Sequence, residues 1–119
     1  MNNELSFGLL RHVNRLRLAK FRNSRGELAH TKSDGSDWTP AQWLQAVIGE
    51  LGEYANFRKK LERGDITQKE FHVQARKELA DVVIYLDLLA LQLNIDLGNA
   101  VKDKFNEVSD RIGVDIKIL

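Results

Sequence analysis

No cysteine occurs in this 119-residue chain. Disulfide staples, thiolate nucleophiles and thiolate metal sites are therefore excluded, and a reducing, cytoplasmic setting is the natural expectation. Long apolar runs are also missing. The short stretch from Leu5 to Leu10 is broken at once by Arg11, so neither a secretory leader nor a membrane span is expected. There is no glycine-rich phosphate loop, no Ser/His/Asp or Cys/His set, no internal repeat and no low-complexity tract. Charge of one sign is not in excess either, since the formal net charge is +1. That near-balance hides an asymmetry. Residues 1–32 hold seven Lys/Arg against two Glu, and the remainder holds eleven against fifteen Asp/Glu. A basic arm next to an acidic centre suits a polyanionic partner, and equally suits the solvated face of a first helix.

What is present is an amphipathic, single-domain-sized chain with 43% hydrophobic and 29% charged residues. Leu9, Leu10, Val13, Leu16 and Phe21 recur at helical spacing and predict a helix from Leu5 to about Phe21, with Arg11, Arg15 and Arg22 off the stripe. The polar segment Asn23 to Asp37 reads as a long loop of the kind that serves as a lid or binding loop. It ends at Trp38, either a hydrophobic staple or a stacking surface for a nucleobase. Thr39-Pro40-Ala41-Gln42 then opens a second helix with a capping box and a first-turn proline. That helix runs to about Arg63 and is stopped by Gly64. Thr67-Gln68-Lys69-Glu70 opens a third, apolar nearly all round, which implies a central position or a subunit interface. Asn94 stops it, and Asp96 caps a fourth that ends near Gly113. Val114 to Leu119 is left as a short strand or an extended arm.

The chemistry concentrates between Val47 and Leu89. Glu50 and Glu53 are spaced i, i+3 on the second helix, as are Glu78 and Asp81 on the third. Glu50 falls within the stripe Trp43, Val47, Leu51, Tyr54, Phe57 and Leu61. Glu78 falls within the stripe Phe71, Val82, Tyr85, Leu86, Leu89 and Leu93. Glu53 and Asp81 lie at the edges. Carboxylates facing a core are unfavourable unless their charge is compensated. Two like charges ~4 Å apart repel by roughly 4 kcal/mol at a surface-like dielectric. Hard divalent cations suit such all-oxygen sets. Gly49 and Gly52 lower helix propensity and are expected to admit a neighbouring helix or a metal-bound phosphate, or simply to pack.

Together, Trp38-Thr39-Pro40, Gly49-Glu50-Leu51-Gly52-Glu53, Glu78-x-x-Asp81 with the following Val82-Val83-Ile84-Tyr85-Leu86, and Lys104-Phe105-Asn106-Glu107-Val108-Ser109 resemble the small MazG-like all-α nucleoside triphosphate pyrophosphohydrolases of phages and bacteria. The resemblance covers roughly residues 38–117. It implies a four-helix, bundle-like all-α fold with a short extended C-terminal tail, assembled as a homodimer or homotetramer. It also implies cleavage of a (deoxy)nucleoside triphosphate to the monophosphate and pyrophosphate. A purine deoxynucleotide such as dGTP is the expected substrate. On the same resemblance Glu50, Glu53, Glu78 and Asp81 would hold Mg²⁺, with Mn²⁺ as substitute. Trp38, Asn56, Lys60, Lys104 and Asn106 are the candidate substrate contacts. Some such enzymes carry a further glutamate directly before the first motif acid. Here that position is Gly49, and the general base stays unassigned.

Three other readings compete. A carboxylate-bridged di-iron bundle needs Glu-x-x-His pairs, and none of His12, His30 or His72 stands three residues after a motif acid. A non-catalytic helical interaction module would tolerate Glu78→Gln. A nucleic-acid binder using the basic N-terminal arm would bind with steep salt dependence.

Overall fold

The structure is a computed structural model, and it describes residues 4–119. It is all-helical, with α1 (Phe7–Leu18), α2 (Pro40–Glu62), α3 (Gln68–Gln92) and α4 (Leu97–Ile112), and no β-strand among the described residues. Among the described residues no helix is long and apolar enough to cross a membrane.

Local chemistry sets the helix ends. Ser6 Oγ accepts from the Leu9 N–H at 3.0 Å to start α1. Gln42 Oε1 reaches back to the Thr39 N–H at 2.8 Å, and Glu70 and Thr67 complete a reciprocal capping box on α3. Asp96 Oδ1 accepts from the Asn99 N–H and starts α4. Asn94, with φ of 56°, turns the chain out of α3. Gly64 and Gly113 adopt the left-handed conformation that ends α2 and α4.

α2 and α3 form a long antiparallel pair joined by the short turn after Arg63. Two aromatic pairings fix its register: Tyr54 against Phe71 at 5.9 Å and Trp43 against Tyr85 at 6.5 Å. Residues between those pairs meet in the middle, which is where Glu50 lies opposite Glu78. α1 packs on α3 as well, so α3 holds the central position its all-round apolarity suggests. α4 makes its main contact with α1 and stands away from the α2–α3 pair. There Gly98 touches Phe7: a Cβ at position 98 would come 2.9 Å from Phe7 Cβ. One chain therefore does not close a four-helix bundle by itself. Its radius of gyration is 17.6 Å, against about 13–14 Å for a compact chain of this length.

The first helix differs from the sequence expectation. It ends at Leu18, because Phe21 turns into a hairpin, accepting from the Ala29 N–H at 2.9 Å. Of the stripe assigned to it, only Leu10 is buried, whereas Leu9, Val13, Leu16 and Phe21 are exposed. The side that docks on α3 is mixed. Arg11, expected off the buried stripe, donates from Nε to Asp87 Oδ1 at 3.1 Å and from Nη2 to the Ile95 carbonyl at 2.8 Å. Asn14 donates to Asp87 Oδ2 at 3.0 Å. Asp87 is the most enclosed side chain of the described residues, 1% exposed. A buried carboxylate needs donors of this kind, and they come from α1.

The segment expected to be a loop is built. Two small hairpin turns follow one another, bridged at Arg22–Leu28 and Thr31–Asp37. Gly26 and Gly35 take positive φ at their tips, and Asn23 and Asp34 accept backbone N–H bonds across each turn. The tail is extended and lies back on α4. Asn106 donates to the Ile118 carbonyl and accepts its N–H, both at 2.8 Å.

Candidate metal centre and adjoining cavity

α2 and α3 bring Glu50, Glu78 and Asp81 together. One oxygen from each lies within 4.8 Å of the others, a separation a single ion could bridge. Glu78 is buried and Glu50 and Asp81 are half-buried. Glu50 Oε2 and Glu78 Oε2 are shut off from solvent and have no hydrogen-bond partner. None of the four acids makes an ion pair among the described residues. Burial, the adjoining Glu78 carboxyl and the charges of Glu53 and Asp81 push the Glu50 carboxyl up to about 7. Glu78 is raised by its burial and by a hydrogen bond with Glu53. The site is thus starved of positive charge. An all-oxygen donor set with two orphaned, buried carboxylate oxygens fits a hard divalent cation. Glu53 is exposed and forms the outer rim, beside Glu78 rather than within the tight trio.

Asp81 also borders a cavity of about 260 Å³. Its walls come from three places. α3 supplies Ile84, Tyr85 and Leu88, and α1 supplies Asn14, Arg17 and Leu18. The feet of the two hairpin turns supply Phe21, Ala29, His30 and Trp38, with Trp43 following on α2. The hairpins have a clear local purpose: the Trp38 N–H donates to the His30 carbonyl at 2.7 Å, so both side chains are held at one foot. Trp43, 3% exposed, is the hub. Trp38 meets it edge-on at 4.9 Å, and His30 lies 5.8 Å away. Tyr85 lines the cavity with Asp81, and the pKa of its hydroxyl is raised by burial and by the charges of Glu50 and Asp81. Among the described residues Arg17 is the one Lys or Arg on the wall.

Trp38 lines the cavity that Asp81 also borders, packed edge-on against Trp43. The other proposed contacts are elsewhere. Asn56 is exposed on α2, and Lys60 lies over the Phe57 ring at 5.1 Å. Lys104 pairs with Glu107 on α4. The Asn106 amide is committed to the tail at both ends. None of these four lines the cavity or joins the carboxylate trio. Gly49 and Gly52 face open space, so among the described residues no neighbouring helix approaches them. Arg17, Asn14 and His30 were not singled out as site residues from sequence. Asn14 and Arg17 follow buried Leu10 by four and seven residues, one helical face, and that spacing was the available signal.

No protein-family model matches this sequence, and no curated protein matches it.

Proposed function

We propose that this chain is a Mg²⁺-dependent nucleoside triphosphate pyrophosphohydrolase, converting a (deoxy)nucleoside triphosphate to the monophosphate and pyrophosphate. The observation that carries this reading is the sharing of Asp81 between an uncompensated carboxylate cluster and an aromatic cavity. A triphosphate has the same two-part character, a polyanionic tail that binds hard cations and a flat base that stacks on aromatic rings. The motif resemblance over residues 38–117 supports the same assignment and supplies the α-phosphorus as the point of cleavage.

Glu50, Glu78 and Asp81 would hold the ion, with Glu53 completing the set from the rim. What Mg²⁺ or Mn²⁺ supplies when bound is charge neutralisation at the phosphate oxygens and a more acidic coordinated water. Arg17 is suited to donate to phosphate or sugar at the cavity mouth. Trp38, Trp43 and His30 provide faces for the base. A purine deoxynucleotide such as dGTP remains the proposed substrate. We assign the exposed apolar side chains of α1, α2 and α3, among them Leu9, Leu16, Ile48, Leu51 and Leu79, to an interface between copies of the chain in a dimer or tetramer.

The test is direct. Purified protein with Mg²⁺ should release pyrophosphate from at least one member of a panel of standard, dUTP and oxidised-purine triphosphates. Chelation should stop it, and Glu50→Ala or Asp81→Ala should abolish it. Cleavage of no member, or activity that survives both substitutions, overturns the proposal.

A further inference from the structure

Asn14 is 3% exposed and borders the aromatic cavity. Its amide orientation is settled by chemistry. Nδ2 lies 3.0 Å from Asp87 Oδ2 and 3.4 Å from the Ile84 carbonyl oxygen. Both neighbours are acceptors, so only the nitrogen end can face them, and its two N–H groups are both used. Among the described residues nothing donates to Asn14 Oδ1. Asp87 cannot relax this arrangement, because its other oxygen is held by Arg11 at 3.1 Å and the side chain is enclosed.

We propose that Asn14 Oδ1 is a fixed hydrogen-bond acceptor for the bound base, selecting a nucleobase that presents an amino group to the cavity, with Asp87 as the positioning residue that forbids the amide from turning round. His30 cannot make that selection, since its buried, unpartnered Nδ1 serves as donor or acceptor according to tautomer. An amide with both hydrogens committed has no such freedom. A cavity of about 260 Å³ is just below the roughly 300–1,000 Å³ of sites that enclose whole ligands. It suits one ring system, with sugar and phosphates outside toward Asp81. The inference rests on the reading of this cavity as a base seat, but not on the hydrolytic chemistry.

Trp38 and Trp43 are the only tryptophans of the chain, and both line the cavity. Intrinsic fluorescence therefore reports its occupancy. The experiment titrates the whole protein, in chelator, with deoxynucleoside monophosphates in matched pairs: dGMP against dIMP and dAMP against purine deoxyriboside monophosphate, which differ by one amino group, and dCMP against dUMP, in which a carbonyl replaces the amino group and N3 gains a proton. In at least one pair the amino-bearing member should bind about 10- to 100-fold more tightly, the penalty for leaving unpaired an acceptor that the bound base covers. In Asn14→Leu, checked for helicity by circular dichroism, that ratio should fall to within about threefold. Failure of every monophosphate to quench, equal binding within all three pairs, or a preference that survives Asn14→Leu would each overturn the inference. The pairs need no variant, so the test stands even where Asn14→Leu does not fold. A clear preference without triphosphate cleavage keeps the inference and removes the hydrolase; cleavage without a preference does the reverse.

Discussion

Glu78→Gln should weaken a pH dependence of stability that the wild-type chain carries in the absence of metal, since burial and the charges of Glu53 and Asp81 still act on Glu50. The wild-type folded state holds a proton on the Glu50–Glu78 pair that the unfolded chain releases. Glu50 sits at about 7 when folded, against an ordinary 4.5. A carboxyl raised on folding contributes stability that is full below 4.5 and is lost as pH rises through about 7. At roughly 1.36 kcal/mol per pH unit the ceiling is about 3.4 kcal/mol. Glu50 is only half-buried, and solvent screening reduces this to about 1–2 kcal/mol. For a chain of this size that is a fall in Tm of roughly 4–8 °C between about pH 5 and pH 8. Mg²⁺ at about a hundred times its Kd should restore about 2.7 kcal/mol at the higher pH, because only the folded state assembles the trio. Thermal unfolding followed by far-UV circular dichroism, with and without Mg²⁺, measures both effects. In Glu78→Gln the buried charge is gone, so the pH slope should flatten and the Mg²⁺ effect should shrink. A wild-type Tm that is flat with pH and indifferent to Mg²⁺ would refute the claim that these carboxylates are crowded and uncompensated.

Other parts of the molecule give independent expectations. Asp87→Ala removes the acceptor shared by Arg11 and Asn14 and strands a part-buried guanidinium; it should cost about 3–5 kcal/mol in urea unfolding. Gly98→Ala drives a Cβ to within 2.9 Å of Phe7 Cβ, and should cost about 1–3 kcal/mol through strain where α1 meets α4. Asn106→Leu breaks both bonds to Ile118, and at about 1 kcal/mol each the amide exchange of the tail should quicken at least tenfold by mass spectrometry.

Features encoded within a few residues were legible in the chain. Thr39 with Gln42, Thr67 with Glu70, Asp96 with Asn99, and the left-handed stops at Asn94, Gly64 and Gly113 mark α2, α3 and α4 within one or two residues. Helical spacing brought Glu50, Glu78 and Asp81 to one site because the α2–α3 turn is short and antiparallel pairing leaves little choice of register. Relations between distant segments were not legible. Periodicity placed Leu51, Leu86 and Leu93 in apolar stripes, yet all three are exposed in the single chain, since a stripe records apolarity and not what covers it. Arg11 looked like a surface charge until Asp87, seventy-six residues on, supplied its partner. A lone aspartate within the apolar run Val82 to Leu91 was the visible trace of that clamp. The paired hairpins were hidden in polar sequence, although Gly26 and Gly35 mark their tips. The Asn106 amide follows from the returning tail, which no local pattern announces.

The central claim is that acids stand in an apolar seam because divalent ions carrying a triphosphate neutralise them there. Titration of Mn²⁺ followed by electron paramagnetic resonance tests it most directly. Wild-type protein should bind the ion saturably, more tightly with a triphosphate analogue whose α–β bridge cannot be cut, and Asp81→Asn should lose most of that affinity. Binding that is absent, or equal in Asp81→Asn, would contradict the account.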